Sequence, residues 1–334
     1  MNKKKWSSIF IAAVALGLFL CLGQKYFAEL PRIMAANWLG IVAMAAIHIV
    51  TCAMQGRILQ IGLAACGQRI RFREGFGLTM LSSYSNLLLP RSGVGLIAVH
   101  LQRSRKFSLA KYSSVVSFNA AMFVLSCGIA AMLAFAIDAA MNGRSLHIGF
   151  MISLSVFVSA GFVGIVYRWR VPVWYRGIGS RFLRRFSRAS ARLGKQSIIW
   201  RFALIHVAMI LLRALRLYIA FWALGIDVNP TGVFMASVLG DLAFVVSVTP
   251  TALGFRETAI TLVTTSLGTT TALALSAAML DRLVFSVTTI LAAQLIVGFV
   301  IRSKSDSRAD NSANTPLPGF SQALGSATKA ADGA

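Results

Sequence analysis

Apolar runs of about 20 residues recur along this 334-residue chain, and each can cross a hydrocarbon core of about 30 Å as a helix. This recurrence constrains the fold more than any other feature of the sequence. Charged residues make up 13% of the chain, whereas a soluble domain carries about 25%. The sequence therefore predicts an all-α polytopic membrane protein.

Six of the runs are unbroken, and we expect about six full transmembrane helices from them. The runs are residues 8–23, 36–54, 112–138, 148–167, 199–223 and 273–300. The first run follows three lysines and resembles a signal peptide, but no small-residue cleavage site follows it. We therefore interpret it as an uncleaved span.

Two further apolar regions are interrupted by proline and glycine. At a rise of 1.5 Å per residue, at least one half of each region is too short to cross the membrane. Proline removes a backbone donor and glycine loosens the chain, so both interruptions predict turns within re-entrant helical hairpins. The interruptions are 90–93, between 76–89 and 94–102, and 250–254, between 231–249 and 255–267.

The distribution of basic residues predicts the topology. If six runs cross and both hairpins return to their own side, 22 basic residues face one side and three face the other, leaving aside Arg57 and the residues after Lys304. Cytoplasmic loops carry the excess of Lys and Arg, so we expect both termini in the cytoplasm of a bacterial inner membrane. The hairpins then enter from opposite faces, which is typical of an inverted repeat with a site near the midplane. No repeat is visible residue by residue.

The cytoplasmic loop 168–200 has the pattern of a basic amphipathic helix, with arginines on one face and apolar residues on the other. Such a helix is suited to an anionic inner-leaflet surface. The alternative is that its charges only anchor the topology. The arginines of this expected membrane-surface face are Arg181, Arg184, Arg185, Arg188 and Arg192.

Other classes of function lack a signature in the sequence. The four cysteines are irregularly spaced, so neither a disulfide framework nor a zinc site is indicated. Motifs of serine hydrolases, metalloproteases and phosphate-binding loops are missing, so we expect no catalytic residue, metal, cofactor or ATPase. The net charge of +23 lies mainly in loops between spans, where anionic lipid explains it better than nucleic acid. After a transmembrane domain of residues 1–302, residues 303–334 have the composition of a disordered cytoplasmic tail.

Several ionisable residues fall inside the apolar segments, where each costs about 2.5–3.5 kcal/mol and therefore faces a partner, water or substrate. One hypothesis is a polar cavity in which arginines hold an anionic headgroup, because guanidinium groups suit phosphate. The alternative is that these charges pair only with one another and fasten helices together. We expect His48 to form an interhelical hydrogen bond. The charged candidates are Arg213, Arg216, Arg256, Arg282, Asp241, Glu257 and Asp281.

Two stretches resemble signatures of the lysylphosphatidylglycerol synthase transmembrane, or flippase-like, family. Residues 86–95, NLLLPRSGVG, are similar to the first signature, and residues 250–257, PTALGFRE, to the second. Arg282 matches an arginine that the family often has in the next helix. The resemblance covers roughly 69–300 and implies a membrane protein that translocates lipids. It adds the hairpin turns to the candidate substrate-binding residues, namely Asn86, Pro90, Arg91, Gly93, Gly95, Pro250 and Gly254.

The chain departs from the family pattern at Val94-Gly95, where many relatives have an acid, and at Thr251-Ala252, where glycine-rich residues are usual. An Arg and an Asp common in the next helix are missing around residues 118–119. Some members carry a cytoplasmic aminoacyl-lipid synthase domain, which we do not expect here.

We therefore expect a lipid translocase without its own ATPase, acting on an anionic or phosphate-bearing lipid, with membrane lipids as partners. One alternative is a membrane-embedded lipid-linked glycosyl or acyl transferase, although the predicted outer loops hold only Glu29, Asp138 and Asp227 as acids. The other is a non-catalytic partner that recruits an envelope-lipid biosynthetic enzyme through its basic loop.

The predicted topology can be tested with single cysteines in a chain whose native cysteines are replaced. A cysteine in residues 168–200 should react with a membrane-permeant maleimide and resist an impermeant one added to intact cells. A cysteine at Arg144 should react with both reagents. Labelling of residues 168–200 from outside would overturn the topology.

Overall fold

The computed structural model describes residues 31, 33, 35–89, 91–142, 155–156, 158–163, 180–246, 254–266 and 268–313. These residues form helices and connecting turns and contain no strand, which confirms the all-α expectation for this part of the chain. The helices are α1 (Trp38–Ala65), α2 (Phe72–Leu88), α3 (Ser92–Arg105), α4 (Leu109–Asn142), α5 (Ser180–Leu193), α6 (Gln196–Ala223), α7 (Pro230–Val246), α8 (Phe255–Ser266) and α9 (Thr271–Ala313).

Four helices are long and apolar enough to cross a membrane, and they coincide with four of the six predicted spans. They are Trp38–Ala65, Leu109–Ala140, Gln196–Ala223 and Thr271–Ile296. Their outer faces carry large exposed apolar side chains, such as Leu204 and Leu211 on α6, which suit a lipid solvent. The predicted span 8–23 and most of 148–167 lie outside the described residues, so the six-span count stays a prediction.

The described part of the predicted span 148–167 packs closely against α4. A Cβ at Gly161 would lie 2.7 Å from the backbone nitrogen of Leu125, and a Cβ at Gly128 would lie 2.7 Å from Val158 Cγ2. Glycine on both sides therefore lets the two backbones approach, which is typical of helix pairs in membranes.

Helices α2 and α3 form the first predicted hairpin and pack against each other. Their outer ends are joined by an ion pair of 2.7 Å between Arg105 Nη2 and Glu74 Oε2. At the other end the Asn86 side-chain oxygen accepts a hydrogen bond of 2.8 Å from the backbone N–H of Gly93. The chain therefore returns to the end from which it started, as predicted for a re-entrant hairpin.

The basic segments converge on the same end of the molecule. Lys111 Nζ at the start of α4 donates to the carbonyl of Cys66 after α1, at 3.3 Å. Ser114 Oγ of α4 donates to the Phe186 carbonyl of α5 at 2.9 Å. A core that includes Leu63, Ile70, Phe107, Leu193 and Phe202 fills the space between these segments. The end of α1, the start of α4 and α5 thus form the face that the charge distribution predicts to be cytoplasmic.

Helices α7 and α8 form the second predicted hairpin at the opposite end. The backbone N–H of Asn37, before α1, donates to the Ala223 carbonyl at the end of α6, at 3.0 Å, and α7 begins seven residues later at Pro230. Gly240 of α7 meets α8 closely, since a Cβ there would lie 3.1 Å from Ile260 Cγ1. The turn residues 247–253, with Pro250, lie outside the described residues.

The chain forms two compact units, Met1–Ile290 and Leu291–Ala334. In the second unit helix α9 continues to Ala313, so the structure places residues 303–313 in a helix rather than in the predicted disordered tail. The physical reason is that no proline or glycine interrupts the sequence before Pro316. Residues 314–334 lie outside the described residues.

The first hairpin predicts opposite effects for two glycines of α3. A Cβ at Gly93 would overlap the Ser82 side-chain and carbonyl oxygens and lie 2.8 Å from its carbonyl carbon, whereas a Cβ at Gly95 meets no atom within 4 Å. We expect G93A to lower the free energy of unfolding by about 1–3 kcal/mol through overpacking. The matched control G95A should be neutral or should stabilise by up to about 1 kcal/mol, because alanine favours helix. Unfolding in mixed micelles measures both, and equal destabilisation would contradict the close packing of the hairpin.

Candidate functional site: a charged cavity between two hairpins

Asp281 of α9 is fully buried and binds two arginines from different helices. Arg216 of α6 donates from Nε to Oδ1 at 2.6 Å and from Nη2 to Oδ2 at 3.1 Å. Arg256 of α8 donates from Nη1 to Oδ2 at 2.7 Å. The paired Arg216 contact is the fork geometry in which guanidinium and carboxylate interact most strongly. One carboxylate thus joins three helices.

Two further ion pairs flank Asp281. Arg213 Nη1 donates to Asp241 Oδ2 at 2.9 Å, joining α6 to α7. Arg282 Nη1 donates to Glu257 Oε1 at 2.6 Å, joining α9 to α8. The other Glu257 oxygen accepts the backbone N–H of Gly254 at 2.8 Å, which caps the start of α8. All seven charged candidates therefore belong to ion pairs, as the helix-fastening alternative requires.

His48 of α1 extends the ion pairs into a directed hydrogen-bond chain. Its Nδ1 lies 3.3 Å from Arg216 Nη1, and because arginine can only donate, Nδ1 accepts. The ring hydrogen therefore lies on Nε2, which donates to Thr289 Oγ1 at 2.9 Å, and Thr289 donates to the Phe285 carbonyl at 2.8 Å. This assignment makes His48 neutral and interhelical, as expected from the sequence.

These charges line a cavity of about 200 Å³. One wall carries four guanidinium groups and a single carboxylate, that of Asp241. Asp281 and Glu257 are not in the lining, because the arginines bonded to them lie in front. The opposite wall is uncharged and comes from α1 and the first hairpin. The lining residues are His48, Thr51, Cys52, Gln55, Ser83, Asn86, Arg213, Arg216, Asp241, Arg256, Arg282 and Phe285.

The predicted turn residues have different places. Asn86 lines the cavity, so the first hairpin does reach it. Arg91 is exposed with a φ of 58°, and neither it nor Gly93 or Gly95 is in the lining. Gly254 has a φ of +87°, a conformation that glycine adopts without strain, and it starts α8. Pro90 and Pro250 lie outside the described residues. The described signature residues away from the cavity thus shape the turns.

Sequence reasoning missed the uncharged wall. Thr51 and Gln55 follow His48 at intervals of three and seven residues on α1, so the three side chains share one helix face. This polar stripe within an apolar span is the signal that could have found them. Ser83 of α2 lies three residues before Asn86, on the same face of its own helix.

The basic helix α5 is docked on the helical bundle. Ala189 and Leu193 are buried and Phe182 is half exposed, so the apolar face is only partly covered by protein. Four of the five predicted surface arginines, Arg184, Arg185, Arg188 and Arg192, are exposed. The Arg181 side chain lies outside the described residues. No residue of α5 is in the cavity lining.

The cysteines within the described residues, Cys52, Cys66 and Cys127, are buried free thiols. Burial raises the pKa of Cys66, at the end of α1, to about 11, so this thiol is protonated at neutral pH. Among the described residues no cluster of His, Cys, Asp and Glu is arranged to hold a metal ion. Cys21 lies outside them.

The fold and the site define a class: helical membrane proteins in which two hairpins from opposite ends meet at a charged cavity. Residues 6–293 match the family model described as the lysylphosphatidylglycerol synthase TM region, and the chain belongs to this family. No curated protein and no solved structure is significantly similar to it.

The contacts of Asp281 predict that it stabilises the fold strongly. We expect D281N to lower the free energy of unfolding by about 3–5 kcal/mol, because it breaks two buried ion pairs and leaves arginine charge uncompensated. The control E74Q removes the part-exposed ion pair with Arg105 and should cost at most about 1 kcal/mol. Unfolding of both purified variants in mixed micelles decides, and equal costs would contradict the central role of Asp281.

Proposed function

We propose that this protein moves a phosphate-bearing, anionic lipid between the leaflets of a bacterial inner membrane, with the headgroup passing through the cavity between the two hairpins. The observation that carries the proposal is the wall of four arginines facing an uncharged polar wall. Family membership supports a membrane-embedded role and leaves the lipid open.

The arginine wall suits a phosphate group for a physical reason. Guanidinium groups stay charged when buried and offer five N–H donors in a planar fork. Their carboxylate partners orient them in advance, so an incoming phosphate finds donors that need little reorganisation. Arg213 donates one N–H to Asp241, and Arg256 donates one to Asp281. Each carboxylate contact engages only part of its guanidinium.

The uncharged wall supports passage rather than tight capture. Thr51, Gln55, Ser83 and Asn86 offer hydrogen bonds that can replace water around a headgroup. A lipid whose headgroup occupies the cavity can keep its acyl chains in the bilayer beside the apolar helix surfaces. Hairpins entering from opposite ends allow access from either leaflet. Movement is then driven by the lipid gradient, without a nucleotide site.

The two alternatives receive less support. A transferase needs an acid or base that is available for proton transfer. Asp241, the acid that lines the cavity in the described residues, is bonded to Arg213. A recruiter would use α5, whose arginine face is exposed. Replacing Arg184, Arg185 and Arg188 with glutamine should then abolish the cellular function while leaving transport in vesicles unchanged.

Lipid exchange in reconstituted vesicles tests the proposal. Fluorescent phosphatidylglycerol labelled on an acyl chain should cross faster with the protein than in empty vesicles, measured by dithionite quenching. The double variant R213Q/D241N removes a whole ion pair, so no buried charge is left unpaired, and its rate should fall at least about tenfold. The control R57Q changes an exposed arginine on α1 that bonds Gln60 outside the cavity, and it should keep the rate. No acceleration by the wild-type protein with any headgroup would refute the proposal.

A further inference from the structure

The four arginines of the cavity differ in how far their side chains reach into it. Arg216 and Arg256 have side chains only 6% exposed, and both are bonded to the buried Asp281. Arg216 also donates to His48. Arg213 has a side chain 15% exposed and is held through one N–H by Asp241. Arg216 and Arg256 therefore belong to the framework, whereas Arg213 reaches the space that a ligand would enter.

The acidic groups are not placed to receive a cation. Asp281 accepts from two arginines, and both oxygens of Glu257 accept, one from Arg282 and one from the Gly254 backbone. Neither acid lines the cavity, and Asp241 faces four guanidinium groups. An ammonium group entering this space would meet like charges at close range in a weakly screened environment. A phosphate can take the place of Asp241 on Arg213.

Resting on the proposed function, we infer that the cavity selects lipids by headgroup charge: it accepts a net anionic phosphate headgroup and rejects aminoacylated or otherwise cationic ones, with Arg213 as the specificity-determining residue. Asp241 is the counterion that the phosphate displaces. A volume of about 200 Å³ lies below the 300–1,000 Å³ typical of sites for drug-sized ligands. A headgroup no larger than phosphoglycerol suits this space.

Binding of short-chain lipids tests the selectivity without requiring transport. The purified full-length protein is titrated in detergent with dioctanoyl phosphatidylglycerol, dioctanoyl phosphatidylcholine and the dioctanoyl lysyl ester of phosphatidylglycerol, followed by thermal stabilisation. We expect the phosphatidylglycerol Kd to be at least about tenfold lower than that of the lysyl ester, with phosphatidylcholine between them. Equal affinities, or tighter binding of the lysyl ester, would overturn the inference.

Variants separate Arg213 from the framework. In D241N the carboxylate that competes for Arg213 is gone, so phosphatidylglycerol should bind at least as tightly as to the wild type. In R213Q/D241N the preference for phosphatidylglycerol over the lysyl ester should shrink to less than about threefold. The control R57Q should keep the full preference. A preference unchanged in R213Q/D241N would exclude Arg213 as the specificity-determining residue.

The same headgroups in vesicles distinguish failure of the inference from failure of the proposed function. Faster exchange of phosphatidylglycerol than of the lysyl ester supports both. Equal exchange of all headgroups supports transport and overturns the charge selectivity. Selective binding without exchange of any lipid supports the selectivity and refutes transport as the function of the site.

Discussion

The carboxylate of Asp281 is the interaction on which the rest of the structure depends. It is fully buried and accepts hydrogen bonds from Arg216 and Arg256, so α6, α8 and α9 meet at one charged atom group. A buried charge is costly unless it is paired and hydrogen-bonded, so only arrangements that keep both arginines in place are stable. The next residue, Arg282, repeats the restraint through Glu257. Two consecutive residues of one helix thus position the second hairpin.

The ion pairs and the cavity are two aspects of one arrangement. The sequence left open whether the charges hold a headgroup or only fasten helices. In the structure the four arginines do pair with acids, and the same four line the cavity. Pairing keeps each guanidinium oriented, and orientation is what a site needs if it is to bind an anion with little reorganisation. Stability and the proposed binding therefore draw on the same contacts.

The signature residues of the two hairpins are explained largely by local geometry. Asn86 bonds the backbone of Gly93, and Gly93 has no room for a side chain against Ser82. In the second hairpin Gly254 takes a left-handed φ and Glu257 caps the helix that follows. These residues make two sharp turns possible at the places where the hairpins approach the cavity. Among the described signature residues, Asn86 and Arg256 also line it.

The sequence by itself determined the helical membrane class, four spans, both hairpins and the basic end, because run length, helix breakers and charge are local properties. It also indicated the charged candidates, since ionisable residues stand out in apolar segments. Only the tertiary structure decided which arginine pairs with which acid, and that Thr51, Gln55 and Ser83 complete the cavity. Arg216 and Asp281 are 65 residues apart, and His48 and Arg216 are 168 apart. Contacts at such separations depend on how whole helices pack, and no local pattern encodes them.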